Sequence, residues 1–161
     1  MDMPTTQFLT GTELLSKAMR DIRKKRGLKT SEVASSMGMA LRSYEHFEAG
    51  RGRISYERLL AFAKATDSDP YALLAVVAFD SPEFALRVAD NKLMQVMMLT
   101  LKEFNEELGE DIGYLETRTL IAAFTRIFRE LTDNVRKRDT FAEEWLAERT
   151  TAKPVRKPDR R

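Results

Sequence analysis

The sequence of 161 residues contains no cysteine and a single histidine, His46. The absence of cysteine excludes disulfides, thiolate metal ligands and a cysteine nucleophile, and it gives no reason to expect an oxidising compartment. One histidine cannot form a histidine-rich metal site. The sequence also lacks a glycine-rich phosphate loop and any grouping of a nucleophile with a base. We therefore do not expect an enzyme, a bound metal or another cofactor.

Long apolar runs are also missing. The longest, residues 72–79, is far too short to span a bilayer, and the first 15 residues lack the basic start and apolar stretch of a signal peptide. With 43% hydrophobic and 32% charged residues, the composition is that of a soluble globular protein. We expect no membrane partner and a cytoplasmic location.

The net charge of +2 is unevenly distributed. Residues 1–74 carry 12 Lys and Arg against 9 Asp and Glu, residues 75–149 carry 10 against 15, and residues 150–161 carry 5 against 1. A polyanion is therefore expected to meet the head or the tail of the chain. The basic run "RDIRKKRG" is interpreted as the solvated last turn of a helix rather than as a nucleic-acid patch. The tail is predicted to be disordered, and its attraction for phosphates is left open.

Apolar residues recur at intervals of three and four, and no alternating run bounded by turns indicates a strand. The sequence therefore predicts an all-α fold. Five short helices fit the first 79 residues, at about 13–26, 31–37 and 41–49, after Ser55, and from Asp69-Pro70 onward. Gly27 and Gly38 are expected to end the first two helices.

A second helical region is expected to begin at the helix-start signal Ser81-Pro82-Glu83. Its first long helix should end at Gly109, and a separate last helix is predicted from a capping box of Thr140 and Glu143. The other long helix carries a near-heptad seam of Leu120, Phe124, Ile127, Leu131 and Val135. The predicted domains are residues 1–80, residues 81–149 and the tail at 150–161.

The stretch "TSEVASSMGMALRSYEHFEAGRGR", residues 30–53, has the pattern of two helices joined by a four-residue turn at a glycine. In the second helix, apolar spacing places Tyr44 and Phe47 inward. The side chains left outside are Leu41, Arg42, Ser43, Glu45 and His46. A helix of about nine residues is about 13 Å long, which matches a major groove about 12 Å wide.

These outer side chains suit base recognition. Arg42 can grip guanine bidentately, His46 can donate to guanine or accept from a base amine, and Leu41 can cover a thymine methyl. Glu45 could accept from a cytosine amine or merely repel phosphate. Arg51 and Arg53, in the loop that follows, are expected to bind phosphates.

Residues from about 14 to 74, including "RKKRGLKTSEVASSMGMALRSYEHFEAGRGRISYERLLAFAKAT", resemble the lambda-repressor-like, Cro/C1-type helix-turn-helix domain of the XRE family. The resemblance implies a five-helix DNA-binding domain. Its DNA-facing positions map onto Ala40, Leu41, Arg42 and His46, and its phosphate contacts onto Thr30, Ser43, Arg51 and Arg53. It also implies a pair between Arg23 and Glu48, which we interpret as structural.

This chain departs from the family pattern at three positions. Ala40 stands where Ser or Thr usually caps the recognition helix, Thr30 replaces a frequent glutamine, and Ile54 replaces a frequent proline. Alanine at position 40 should lower the stability of the recognition helix by about 1 kcal/mol, because the helix loses its capping side chain. It also removes a hydroxyl that could bind phosphate. These departures weaken the case for individual phosphate contacts but leave the predicted fold intact.

A single helix-turn-helix domain reads only about half a site, so we expect a homodimer on an inverted repeat of double-stranded DNA. The predicted dimer surface consists of Leu120, Phe124, Ile127 and Leu131. The expected function is sequence-specific transcription control, with repression favoured because occupying a promoter is the simplest action. The rival hypothesis is a protein-interaction factor, antitoxin-like or contacting RNA polymerase, whose C-terminal helices bind a protein partner.

Overall fold

The computed structural model describes residues 9–151, apart from the side chains of Asp139 and Thr151. This part of the chain contains helices and no β-strand, which confirms the predicted all-α fold. The helices are α1 (Gly11–Lys25), α2 (Thr30–Ser36), α3 (Leu41–Glu48), α4 (Tyr56–Thr66), α5 (Pro70–Phe79), α6 (Pro82–Arg87), α7 (Leu93–Leu108) and α8 (Thr117–Thr151), with a 3-10 helix at Gly109–Tyr114. The first five follow the predicted order.

The chain divides into two compact units, the first ending at Glu107 and the second beginning at Leu108. The first unit thus extends well beyond the boundary that the sequence suggests at residue 80. The reason is that α6 packs against both α1 and α5 and contributes Ala85 to the same core. The assignment of separate functions to residues 1–80 and 81–149 stays a prediction.

The core of the first unit is formed by the inward faces of α1 to α5. Its largest fully buried apolar side chains are Met19, Ile22, Val33, Tyr44, Phe47, Phe62, Leu73 and Val76. The Phe47 ring lies 6.3 Å from the Tyr44 ring and 6.5 Å from the Phe62 ring, in tilted arrangements. Such pairs add to the stabilisation that burial supplies. The predicted inward positions of Tyr44 and Phe47 on α3 are therefore confirmed.

Asp69 fixes the start of two helices at once. One carboxylate oxygen accepts from the backbone N–H groups of Tyr71 and Ala72 at 3.0 and 3.2 Å, which is the predicted N-cap of α5. The other accepts from the N–H groups of Met94 and Gln95 at 2.8 and 3.0 Å. Because Asp69 is only 1% exposed, these bonds tie the beginning of α7 firmly to the body of the first unit.

The interpretation of "RDIRKKRG" as a solvated turn is wrong for Arg23 and Arg26, whose side chains are largely buried, while Lys24 and Lys25 are exposed. Arg23 is paired with Glu48, while Lys25 and Arg26 reach Asp90 at 3.1 and 2.7 Å. The two cations lower the pKa of the Asp90 carboxyl. Arg26 also donates to the backbone carbonyls of Thr66 and Asp67. The end of α1 is thus held by its basic residues to the segments after α4 and α6.

The second unit consists mainly of α8, a continuous helix of 35 residues. The predicted helix start at Thr140 is wrong: its hydroxyl donates to the carbonyl of Arg136 at 2.8 Å, one turn earlier in the same helix. Residues 117–151 contain no glycine or proline that could end the helix. The last residues of the chain, on which the prediction of a disordered tail falls, lie outside the described residues.

The apolar seam of α8 is exposed rather than buried. Of the α8 side chains that the structure describes, only Leu120 and Ala123 are even half-buried. The end of α7 is as predicted, with Gly109 at a φ of 53°. Among the described helices, none combines the length and apolarity needed to cross a membrane.

Candidate nucleic-acid interface

The turn between α2 and α3 is closed by two backbone hydrogen bonds. The N–H of Gly38 donates to the carbonyl of Ser35 at 3.0 Å, and the N–H of Met39 donates to that of Ala34 at 2.9 Å. This helix ending requires a left-handed residue, and Gly38 supplies it with a φ of 65°. The chain therefore leaves α2 in one fixed direction, which sets the course of α3.

The inner side of α3 is anchored in the core. Tyr44 and Phe47 are fully buried, and α3 packs against α1 and α2. The small side chain of Ala34, also buried, occupies α2 on the side facing this core. A small residue there allows α2 and α3 to pack closely against each other.

The outer side of α3 is open to solvent. The predicted base-contacting side chains Leu41, Arg42, Glu45 and His46 are all exposed, as is Ser43. With eight residues at about 1.5 Å each, the helix is about 12 Å long and fits a major groove. The structure thus brings these five residues onto one exposed surface, while their contacts with DNA stay predictions. No group of His, Asp or Glu in the described residues is arranged to hold a metal ion.

The beginnings of α2 and α3 differ in how their N–H groups are satisfied. In α3 no described side chain caps the helix, because Ala40 has no hydroxyl. The positive end of the helix is therefore open to an anion such as phosphate. In α2 the carboxylate of Glu32 accepts from the N–H of Lys29 at 2.6 Å. Thr30, predicted to bind phosphate, is half-buried beside this negative charge and so has a weaker position than Ser43.

The loop after α3 has a fixed backbone and free basic side chains. The N–H groups of Gly50 and Arg51 donate to the carbonyls of Phe47 and His46 at 3.0 and 2.9 Å. At the other end, the Arg58 guanidinium donates to the carbonyl of Arg53 at 2.8 Å. Arg51 and Arg53 are exposed, and in the described part of the chain neither guanidinium is in an ion pair. Both can reach a phosphate from a backbone that does not need to rearrange.

Gly50 allows this loop to lie close to the start of α1. Its φ is 71°, and a Cβ atom built on it would lie 3.0 Å from the carbonyl oxygen of Thr12. Any larger residue would therefore suffer both backbone strain and a steric clash. The tight approach holds the base of the loop against α1.

A buried ion pair holds the end of α3. The Arg23 guanidinium donates to both carboxylate oxygens of Glu48, at 2.9 Å from Nε and 2.8 Å from Nη2, and the two side chains are only 14% and 6% exposed. Two-pronged pairs of this kind are geometrically specific. The bond to Glu48 raises the pKa of Arg23. The pair therefore locks α3 to α1 and keeps the Glu48 charge away from the exposed outer side of α3, which agrees with its predicted structural role.

The Tyr44 hydroxyl lies beside this pair. It is buried and has no hydrogen-bond partner among the described residues. Burial, followed by the neighbouring Glu48 carboxylate, raises the pKa of Tyr44 well above its usual range. The hydroxyl is thus a neutral, uncompensated polar group on the inner side of α3, beneath its exposed outer face.

Sequence reasoning missed two residues that position this surface. The hydroxyl of Ser16 donates to the backbone carbonyl of Glu48, and Arg58 holds the carbonyl of Arg53. Ser16 lies between buried residues of α1, so its burial could have been read from the helical pattern. Nothing in the sequence indicates that the Arg58 side chain turns back onto the loop.

The predicted dimerisation residues lie in the second unit. Phe124, Ile127 and Leu131 are exposed on α8, and Leu120 is half-buried. Spacings of three and four residues place them along one side of the helix. The structure therefore presents them as an available apolar surface, and their role in dimerisation stays a prediction.

Residues 14–75 match the family model of a helix-turn-helix domain. The match covers less than half of the chain, from α1 into α5, and includes the α2–turn–α3 unit and the basic loop. A search of curated proteins and a search of solved structures each gave no significant match. Sequence match and geometry therefore agree that this segment is a helix-turn-helix domain, the class of module that DNA-binding regulators carry.

Proposed function

We propose that the protein is a sequence-specific transcription regulator of the XRE, Cro/C1 type. Its homodimer binds an inverted repeat in double-stranded DNA and places one α3 helix in the major groove of each half-site. The observation that carries this proposal is the outer face of α3: five exposed side chains on a helix whose inner face is fully buried and whose end is locked by Arg23 and Glu48. A rigid helix of this length with a polar outer face has the form of a reading element.

Arg42 and His46 are the main candidates for base recognition. They lie four residues apart, on the same exposed side of α3, and carry the donors that guanine accepts in the major groove. Leu41, 44% exposed at the start of the helix, suits contact with a thymine methyl. Glu45 lies between Arg42 and His46 in the sequence, and its carboxylate can accept a hydrogen bond from a cytosine amine. Its negative charge makes a nearby phosphate unfavourable.

Ser43, Arg51, Arg53 and Thr30 are assigned to phosphates. The two guanidinium groups supply most of the attraction because they are exposed and leave their charge free. Contacts of this kind position the protein and make its affinity depend on salt. Thr30 is the weakest member because Glu32 occupies the start of its helix.

We assign dimerisation to the second unit. The protein as a whole is proposed to act without catalysing a reaction and without a cofactor. The exposed apolar side chains of α8 support dimerisation, since a helix of this kind in water needs a cover. Blocking a promoter requires only occupancy of the operator, so repression is the simplest regulatory outcome.

The proposal is tested by selecting random duplex DNA with the purified full-length protein and sequencing what is retained. An enriched inverted repeat, with half-sites centred about 10 base pairs or a multiple apart, is the expected result. Phe124→Asp, which disrupts the α8 surface and leaves the first unit untouched, should shift the enrichment to single half-sites. No enrichment at low salt with either protein would remove DNA recognition from the proposal.

The exposed face of α8 also suits a second function, docking of a different protein, as expected for an antitoxin-like or polymerase-contacting factor. Recovery of a stoichiometric protein partner after nuclease treatment would favour this rival. The DNA selection separates the two, because a pure interaction module should enrich no sequence.

A further inference from the structure

The exposed side of α8 follows a heptad repeat over most of the helix, well beyond the seam used above for dimerisation. With Phe124 at position a, the a and d positions hold Leu120, Phe124, Ile127, Leu131, Phe141 and Trp145. Between Leu120 and Trp145 the seam is interrupted by Asn134 and Arg138, and the outermost a and d positions of α8, Thr117 and Glu148, are polar. Phe124 is 46% exposed and Phe141 is 70% exposed, so both halves of the seam are uncovered. A strip of about 39 Å is therefore available to one continuous partner helix.

A parallel pairing with a second copy conflicts with the charges of this helix. In that arrangement identical positions face each other, so Arg138 would meet Arg138 of the second copy inside the seam. Two Asn134 side chains could bond to each other, but Glu130 and Lys137, at position g, would face the apolar Val135 and Ala142 at position e. Of the g and e positions of α8, this arrangement brings opposite charges together only at Glu144 and Arg149, near the end of the helix, and they do not lie beside the two Arg138 side chains.

An antiparallel pairing brings opposite charges together in one register. When the helices cross between residues 132 and 133, Leu120 faces Trp145 and Phe124 faces Phe141 of the second copy. In antiparallel pairs, positions g lie beside g and positions e beside e. Glu130 then lies beside Lys137 twice, once on each side of the two-fold axis. The apolar e residues Phe128 and Val135 lie beside each other on the opposite flank.

The neighbouring registers do not share this property. A shift of one heptad in one direction places Lys137 beside its own copy and Glu130 beside Glu144. A shift in the other direction places Glu130 beside its own copy. Of these three registers, only the one centred between residues 132 and 133 places opposite charges beside each other, and a two-fold axis at that point gives a closed homodimer.

We infer that α8 associates with α8 of a second copy as an antiparallel pair centred between residues 132 and 133, with Glu130 and Lys137 setting orientation and register. The occupant of the exposed face is therefore another molecule of the same chain. In this arrangement Arg138 faces Ile127 of the second copy instead of another Arg138, and its long side chain can extend from the seam to solvent. The inference rests on the homodimer of the proposed function and specifies how that dimer is built.

Charge exchange tests the inference directly. Glu130→Lys places two lysines together and Lys137→Glu places two glutamates together, so each single variant should weaken self-association about tenfold by sedimentation equilibrium at low salt. The double variant restores the pairs with reversed sign and should return to within about threefold of the parent. Glu143→Lys, which makes the same charge change at an outward f position, is the matched control and should have little effect.

Because the chain has no cysteine, a covalent test is also available. The variant carrying both Glu130→Cys and Lys137→Cys should form disulfide-linked dimers under mild oxidation. Two turns of helix separate the two positions by about 10 Å, which is too far for a disulfide within one chain. Glu143→Cys alone should remain largely unlinked.

The outcomes separate the inference from the function on which it rests. A monomer at all concentrations would overturn both the α8 pair and the proposed homodimer. A dimer that responds equally to Glu143→Lys and to Glu130→Lys, or that is not restored by the double variant, would overturn the antiparallel register alone. The DNA selection remains an independent test of sequence recognition in either case.

Discussion

The two units of this protein use the same sequence pattern for different ends. In α1 to α5, apolar residues at intervals of three and four converge on one core, and side chains such as Phe47 and Phe62 are fully buried. In α8 the same intervals produce a side on which Phe124, Phe128 and Leu131 remain exposed. Periodicity therefore identifies the apolar face of a helix but not what covers it.

This difference in apolar exposure suggests that the two units have separate functions. In the first unit, α1 to α5 share one buried core and α3 has a polar outer face, although apolar side chains such as Val96 and Leu99 on α7 are exposed. The second unit leaves apolar residues uncovered, which favours a protein surface, most simply another copy of the chain. Recognition and association should therefore respond to different substitutions, and variants can test whether they do.

The strongest test of this difference between the two units compares the variant Phe62→Ala with the variant Phe124→Ala. Removing the buried Phe62 ring should lower the stability of the first unit by about 3–5 kcal/mol, because a cavity remains in the core. Phe124→Ala should leave that unit unchanged and weaken self-association. Hydrogen exchange of peptides from α1 to α4 measures the first effect and sedimentation measures the second. Equal loss of protection in both variants would show that α8 supports the first core.

Gly50→Ala tests how tightly the first unit is closed around its basic loop. The alanine Cβ would strain a left-handed backbone and lie 3.0 Å from the Thr12 carbonyl oxygen, so we expect a loss of about 2–3 kcal/mol. Gly27→Ala is the matched control, since its φ is 67° and a Cβ there meets no atom within 4 Å. It should cost about 1 kcal/mol. Urea denaturation measures both, and equal losses would argue that the contact with Thr12 is unimportant.

Arg42→Ala tests whether recognition belongs to the first unit alone. We expect a loss of about 1–3 kcal/mol for the preferred site, relaxed preference at one base position, and unchanged self-association. Phe124→Ala should do the reverse, weakening the dimer without changing which bases are preferred within a half-site. Selection with both variants checks this, and an unaltered preference in Arg42→Ala would remove Arg42 from the base contacts.

Arg51→Ala should have a smaller and less selective effect. Losing one phosphate contact should weaken binding to all sequences alike by about 1 kcal/mol and make the slope of log affinity against log salt shallower by about one. Titrations at several salt concentrations, with a specific and an unrelated duplex, measure both quantities. Parallel salt dependences for variant and parent would exclude a phosphate contact from Arg51.

Features of the fold could be predicted from the sequence where a local backbone or capping requirement is met by one type of residue. The left-handed ends at Gly27 and Gly38, the cap at Asp69 and the inward pair Tyr44 and Phe47 all follow from local chemistry, and the structure has them as predicted. The outer face of α3 follows from the same reasoning, because the residues left outside are those that the core does not take.

Local chemistry does not predict which distant groups meet. The second cap that Asp69 provides for α7 and the contact of Arg26 with Asp90 depend on segments brought together by the whole fold. For α8, local chemistry predicted a helix start that the structure does not have. A capping box was inferred at Thr140, but a threonine within a helix can satisfy its hydroxyl on the preceding turn, so the motif alone does not start a new helix.

The smallest expected change in stability comes from the Tyr44 hydroxyl, and it tests only the part of the first core that surrounds this group. Its pKa is raised from the ordinary value of 10.0 because burial and the Glu48 carboxylate both disfavour the phenolate. Above pH 10 the unfolded chain therefore loses this proton while the folded chain keeps it, and stability falls by up to about 1.4 kcal/mol per pH unit. The stabilisation is fully present below pH 10 and is lost as the pH rises.

Tyr44→Phe should remove this dependence. Near pH 8 the variant should be as stable as the parent or slightly more stable, because the deleted hydroxyl has no partner among the described residues. By pH 11 it should exceed the parent by about 1 kcal/mol in urea denaturation. Tyr114→Phe, at an 85% exposed position in the second unit, controls for the loss of a surface tyrosine. A constant difference between Tyr44→Phe and the parent from pH 8 to pH 11 would mean that the folded protein ionises Tyr44 as readily as the unfolded chain, and that the region beneath α3 is open to water rather than closed like the rest of its core.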